Sequence, residues 1–168
     1  NKDTDFTWKE FQARNNNELV AILGNFVNRV VVLTNKYWDG VVPAIDITNK
    51  NDNQILSLLK ISPTKIANSI KKFRFREALA EMMNLARAGN KYLADCEPWK
   101  VIKSDEKRAK TILNISLQIT ASLSIVSEPF LPFTSKKLQD ILNLTQLKWA
   151  DTGKTMINSG HKINTGGH

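Results

Sequence analysis

Few residues in this chain have the types and spacing that could do chemistry, and they fall in two stretches. In "ELVAILGNFVNRVVVLTNKYW", Asn25 and Arg29 are four positions apart, so on a helix they project from one face as neighbours. A guanidinium only donates hydrogen bonds, whereas a carboxamide both donates and accepts, so the pair could read the edge of a polar ligand. With Lys36 the same residues would also suit a solvated face, and the pattern leaves both readings open. In "KYLADCEPWKVIK", Trp99 directly follows Pro98, and Lys100 and Lys103 flank it. A tryptophan beside lysines can stack a splayed-out base while the amines meet phosphate. The alternative is that Trp99 plugs a corner between two helices.

Residues for catalysis are scarce. His161 lies in an irregular tail, and Cys96 has no nearby histidine or second cysteine. Neither a zinc spacing nor a thiol–imidazole pair is visible, and the seven glycines form no phosphate cradle. Met82 and Met83 read as core, Cys96 as an inert thiol, and "SDEKRAK" as a solvated charge cluster at a helix start. The expectation is therefore no catalytic residue, no metal site and no cofactor within this chain.

The bulk numbers favour one globular domain over residues 1–168. Lys and Arg number 24 against 16 Asp and Glu, a net charge of +8 that favours a polyanionic partner, either nucleic acid or an anionic membrane. A lone cysteine excludes an intrachain disulfide and suits a cytoplasmic setting. No apolar run approaches the roughly 20 residues of a membrane span, and no membrane partner is expected. The first residue is not methionine, which suggests a piece of a longer protein; Gly166, Gly167 and His168 read as a tag remnant.

The elements that must position these residues are helical. Thr7 and Glu10 have capping-box spacing, so a first helix is expected from Trp8, bent near 15–17, to the turn at Asp39-Gly40. Leu19, Leu23, Phe26, Val30, Leu33 and Tyr37 form its apolar stripe, while Gly24 costs about 1 kcal/mol relative to alanine. "VVPAIDITNK" is an extended connection. A second helix starts near Asp52 with Ile55, Leu58 and Leu59, and Ser62-Pro63 breaks or restarts it before Ile66 and Ile70. A third, from Arg74 to Asp95, buries Phe75, Leu79, Met82 and Ala86, and Pro98 stops it. A fourth opens at Ser104–Glu106 and shows one face through Ile112, Ile115, Ile119, Ser122 and Val126, until Pro129 ends it. Thr134 or Ser135 caps a short fifth helix with Leu138, Ile141 and Leu142, and the tail packs as a loop anchored by Trp149. The fold class is all-α, an antiparallel bundle of about five helices.

Five segments carry a resemblance across Asp5 to about Ile163: "NNNELVAILGNFVNR", "KYWDGVVP", "FREALAEMMNLARAGNKYLADCEPWKVIK", "SEPFLPFTSKKLQDILN" and "GHKI". In this order they resemble the anticodon-binding domain of bacterial methionyl-tRNA synthetases, which are class I aminoacyl-tRNA synthetases. "GNFVNR" and "NKYLADCEPWK" are the most specific parts. The resemblance implies a helical bundle that follows a class I catalytic domain, with ATP and a zinc-type metal belonging to the full-length parent. The His-Ile-Gly-His and Lys-Met-Ser-Lys-Ser motifs of that domain are absent here, so this chain is expected to be inactive alone. The parent would be a methionine–tRNA ligase, and the partners implied are tRNA with a CAU anticodon and the catalytic domain of the same chain. By resemblance, Asn25, Arg29 and Trp99 recognise the anticodon, and Lys100 and Lys103 are candidate phosphate contacts beside them. The alternatives are the anticodon domain of a sister enzyme, valyl or leucyl, or a helical protein-interaction module.

Overall fold

The computed structural model describes residues 2–145 and 147–164. Six helices run in the order α1 (Lys2–Trp38), α2 (Lys50–Lys71), α3 (Phe75–Cys96), α4 (Pro98–Val101), α5 (Glu106–Val126) and α6 (Pro132–Ile141). A 3₁₀ turn follows at Trp149–Asp151. Five of these are long, α4 is a single turn, and no strand is present among the described residues, so the all-α bundle is the observed fold.

The bundle is built around α5. Every residue from 111 to 126 is buried, which corrects the expectation of a single apolar face there. A helix buried all round needs small or satisfied polar groups between its aliphatic ones. Ser116 and Thr120 donate to carbonyls one turn back, at Ile112 and Ser116, and Asn114 donates to the Pro43 carbonyl at 2.9 Å. Gln118 secures the tail: its Nε2 donates to the Ile157 carbonyl at 2.7 Å, and its Oε1 accepts from the Met156 and Ile157 amides. The tail is thus held by Gln118 and by buried Met156, Ile157 and Ile163, with Trp149 only partly buried against the core. An antiparallel bridge joins Val41 to Lys162, and His161 Nε2 lies 2.8 Å from the Leu142 carbonyl.

Several boundaries differ from expectation. α1 is already helical from Lys2 and continues through 15–17; the Thr7 and Glu10 side chains and residues 166–168 lie outside the described residues. α2 begins at Lys50 under an Asn49–Asp52 capping box and passes through Pro63 without a break. Proline forfeits one hydrogen bond there, but Ser62 and Pro63 are both buried, and tertiary packing overrides local propensity. Phe75 is exposed rather than core, since α3 buries a face through Leu79, Met82, Met83, Ala86 and Leu93 instead. α6 starts at Pro132 behind Leu131, with no side-chain cap from Thr134 or Ser135; Ser135 instead donates to the Ser124 carbonyl and ties α6 to α5.

Two helical stretches, Asn16–Trp38 and Glu106–Val126, reach the mean hydropathy of a membrane span by length and composition, though neither is a continuous apolar run. The second is the core helix. In the first, Leu19, Leu23, Phe26, Val27, Val30 and Thr34 form the buried stripe. That stripe sets the rotation of α1 and turns Gly24, Asn25 and Asn28 to solvent.

Candidate nucleic-acid interface

α1 and α3 lie side by side. Glu18 pairs with Arg87 at 2.5 Å, and Asn90 donates to the Ile22 carbonyl. A Cβ on Gly89 would come within 3.1–3.3 Å of Ile119 and Phe26. The missing side chain therefore lets α1, α3 and α5 meet closely beneath the exposed face of α1. With Phe26 and Val30 locked inward, Asn25 is exposed and Arg29 half-buried, one turn further on.

The turn after α3 brings Trp99 to the same place. Glu97 takes a left-handed backbone at φ +46°, unusual for a side chain with a Cβ. It closes α3 with a hydrogen bond from its amide to the Leu93 carbonyl, and its own carbonyl accepts from the Lys100 and Val101 amides. Pro98, buried at the first position of α4, has the fixed φ that such a start favours. The chain passes from α3 into α4 within two residues, and Trp99 emerges half-buried against the core. The Arg29 guanidinium carbon lies 5.3 Å from the Trp99 ring centroid, a cation–π distance. Asn25, Arg29 and Trp99, distant in sequence, thus form one surface that presents an amide, a guanidinium and an indole.

The two lysines differ. Lys100 pairs with Glu97 at 2.7 Å on the surface, whereas Lys103 is exposed. For a nucleic-acid ligand on this face, removal of Lys103 should lower the log–log salt slope of binding by up to about 0.7–0.9, the value per phosphate contact. Removal of Lys100 should change it less, because Glu97 already offsets that charge. Affinities measured between 50 and 300 mM salt check both; equal slopes for all three proteins would remove Lys103 from the phosphate-contact set.

A buried ion pair that the sequence did not reveal holds the ends of this turn. Arg108, expected in a solvated cluster, reaches back from the first turn of α5 to Asp52, whose side chain is fully buried. The contact is bidentate, at 2.5 and 2.7 Å. The Tyr92 hydroxyl donates to the same carboxylate at 2.7 Å, and the Asn49 amide donates at 3.1 Å. Burial pushes the Asp52 carboxyl pKa up, but the Arg108 and Tyr92 hydrogen bonds, the Asn49 amide and the Arg108 charge outweigh it and leave it below the ordinary value. Burial and Asp52 push the Tyr92 phenol up, so it stays a neutral donor. α2, α3 and α5 are thereby joined on both sides of α4. Cys96 sits nearby, half-buried, with its thiol pKa raised chiefly by burial, which opposes thiolate chemistry.

Residues 42–166 match the family described as "Anticodon binding domain of methionyl tRNA ligase", and residues 1–31 match "tRNA synthetases class I (M)". The chain is 58% identical over 165 residues to the methionine–tRNA ligase of Cytophaga hutchinsonii, an alignment covering 98% of this chain and 24% of that protein. It is 65% identical over 142 residues to the ligase of Christiangramia forsetii, covering 84% of this chain and 20% of that one. It therefore spans 20–24% of the length of these relatives. In fold it is similar to apo Mycobacterium tuberculosis methionyl-tRNA synthetase, with a TM-score of 0.84 at 22% identity over 93% of this chain and 32% of that one. At that identity the likeness shows the fold alone. The family match covers most of the chain and is to the methionyl enzyme, which removes the valyl, leucyl and interaction-module alternatives. This chain belongs to the anticodon-binding domain family of methionyl-tRNA ligases.

Proposed function

We propose that this chain recognises the CAU anticodon of tRNA for a methionine–tRNA ligase, through Asn25, Arg29 and Trp99. The observation that carries the reading is the Arg29 guanidinium 5.3 Å from the Trp99 ring, with Asn25 one helical turn away. Cytosine at the first anticodon position offers two acceptors, O2 and N3, beside an amine donor. Arg29 can satisfy the acceptors but not the amine, and the Asn25 carbonyl can accept from that amine. Uracil carries N–H at N3, which would face another donor and leave groups unpaired, at about 1–3 kcal/mol. Trp99 supplies the stacking plane.

The parent enzyme joins methionine to tRNA with ATP in a catalytic domain of the same polypeptide, and it works in the cytoplasm. A zinc-type metal belongs to that catalytic part. The 168-residue chain should therefore bind tRNA without charging it. Incubation of the purified chain with methionine, ATP and initiator tRNA should give no methionyl-tRNA; charging that co-purifies with the chain and scales with its amount would overturn this division of labour.

A further inference from the structure

The turn between α2 and α3, remote from Trp99, carries Lys71, Lys72, Phe73, Arg74, Phe75 and Arg76 in unbroken order, all exposed. Phe73 leaves 79% of its surface in solvent and Phe75 37%. Their rings meet edge to face, 6.1 Å between centroids at 77°. The fold gains little from this arrangement. Phe73 takes φ +58°, in the left-handed region where glycine is easy and a bulky residue is rare. Its amide and that of Arg74 close the turn onto the Ile70 and Ser69 carbonyls, bonds that a glycine would make equally well. A strained backbone that displays a ring to water is the kind of feature found at binding surfaces. In sequence, 71–77 holds four basic residues and one acidic one, Glu77, which is 3.9 Å from Arg74.

We propose that this turn is a second RNA-contact surface, which takes the sugar–phosphate backbone and an unpaired base of the same tRNA well away from the anticodon. The proposal rests on the anticodon reading above for the identity of the RNA. Ammonium and guanidinium groups meet phosphate, and exposed rings between them stack bases, which is how single-stranded nucleic acid is held. A protein partner fits less well, because the centre of a protein interface is depleted of lysine. The placement also suits one long ligand. α3 has 22 residues, so its two ends are roughly 33 Å apart. α1 lies along α3 between them, with Glu18, Arg76 and Arg87 bordering one shallow cleft on that flank. The stem of a hairpin of about five base pairs accounts for at most about 17 Å of that separation, even at the roughly 3.4 Å per pair of a DNA duplex. A whole tRNA spans both.

The test compares a CAU anticodon hairpin and intact tRNA as ligands for the wild-type chain, Lys71→Ala/Lys72→Ala and Phe73→Gly. Phe73→Gly suits the left-handed backbone, and thermal melting verifies that each variant folds. The expected result is tighter binding of intact tRNA than of the hairpin by wild type. Phe73→Gly should then weaken intact tRNA about 5-fold or more. The double lysine variant should lower its salt slope by up to about 1.8. Hairpin affinity should stay unchanged in both. Wild-type affinity of both variants for intact tRNA would overturn the proposal; if such variants of the full-length enzyme also lose charging, the turn is a docking surface for the catalytic domain instead. Equal weakening of hairpin and tRNA would overturn it too, since the turn would then act within the anticodon site. Failure of the anticodon reading has a different signature, namely no preference of wild type for a CAU over a UAU hairpin.

Discussion

Asp52→Ala should destabilise this chain by about 3–5 kcal/mol, the cost of leaving one partner of a buried ion pair uncompensated. The carboxylate is fully buried and accepts four hydrogen bonds, from the two terminal guanidinium nitrogens of Arg108, the Tyr92 hydroxyl and the Asn49 amide. The Arg108 side chain keeps 20% of its surface in solvent, so water can partly rescue its charge, and the lower half of the range is expected. For a domain of this size the melting temperature should fall by about 6–15 °C. The pH dependence follows from the depressed Asp52 pKa. Its contribution is present above the unfolded carboxyl value near 3.9 and is lost as pH falls through the lower folded value. The gap between wild type and Asp52→Ala should therefore be constant from about pH 5 to 7 and narrow below about pH 4. Denaturant melts at pH 7 and pH 3 check both statements; a gap under about 1 kcal/mol at pH 7, or one that widens in acid, would contradict them.

Much of this architecture was legible in the sequence, and the failures have physical causes. The stripe Leu19, Leu23, Phe26 and Val30 was readable because only one face of α1 is buried. α5 has no exposed face along 111–126, so its periodicity carried no directional signal. Pro63 read as a breaker because a local rule cannot register that Ser62 and Pro63 are packed inside the bundle. The Asp52–Arg108 pair was hidden for a similar reason. Asp52 looked like a helix start and Arg108 like part of a charged surface, which both are locally; only the fold brings them together. At the site itself, the four-residue spacing put Asn25 and Arg29 on one face, but nothing in their neighbourhood announced Trp99. That pairing depends on the left-handed turn at Glu97-Pro98 and on the packing of α1 against α3. The resemblance, rather than any local pattern, linked the three residues in advance.

Trp99→Ala should weaken binding of the cognate tRNA about 5- to 150-fold, from the roughly 1–3 kcal/mol of base–aromatic stacking. The half-buried ring also packs on the core, so some loss of stability will accompany it. Trp99→Phe separates the two effects: it retains a ring for packing and stacking, and should recover part of the affinity. A Trp99→Ala protein that stays folded and binds tRNA normally would make Trp99 a packing residue only.

The central claim is that Asn25 and Arg29 read cytosine beside that ring. Its most direct test is the affinity of wild type, Asn25→Ala and Arg29→Lys for hairpins that differ only in CAU against UAU. Wild type should prefer CAU by about 5- to 150-fold, equivalent to about 1–3 kcal/mol. Asn25→Ala should lose much of that preference. Arg29→Lys keeps the charge but lacks the planar fork, so it too should lose preference while still binding RNA. Equal weakening of both hairpins by these substitutions, with the CAU preference intact, would mean that the two side chains only position the backbone, and would contradict the cytosine-reading account.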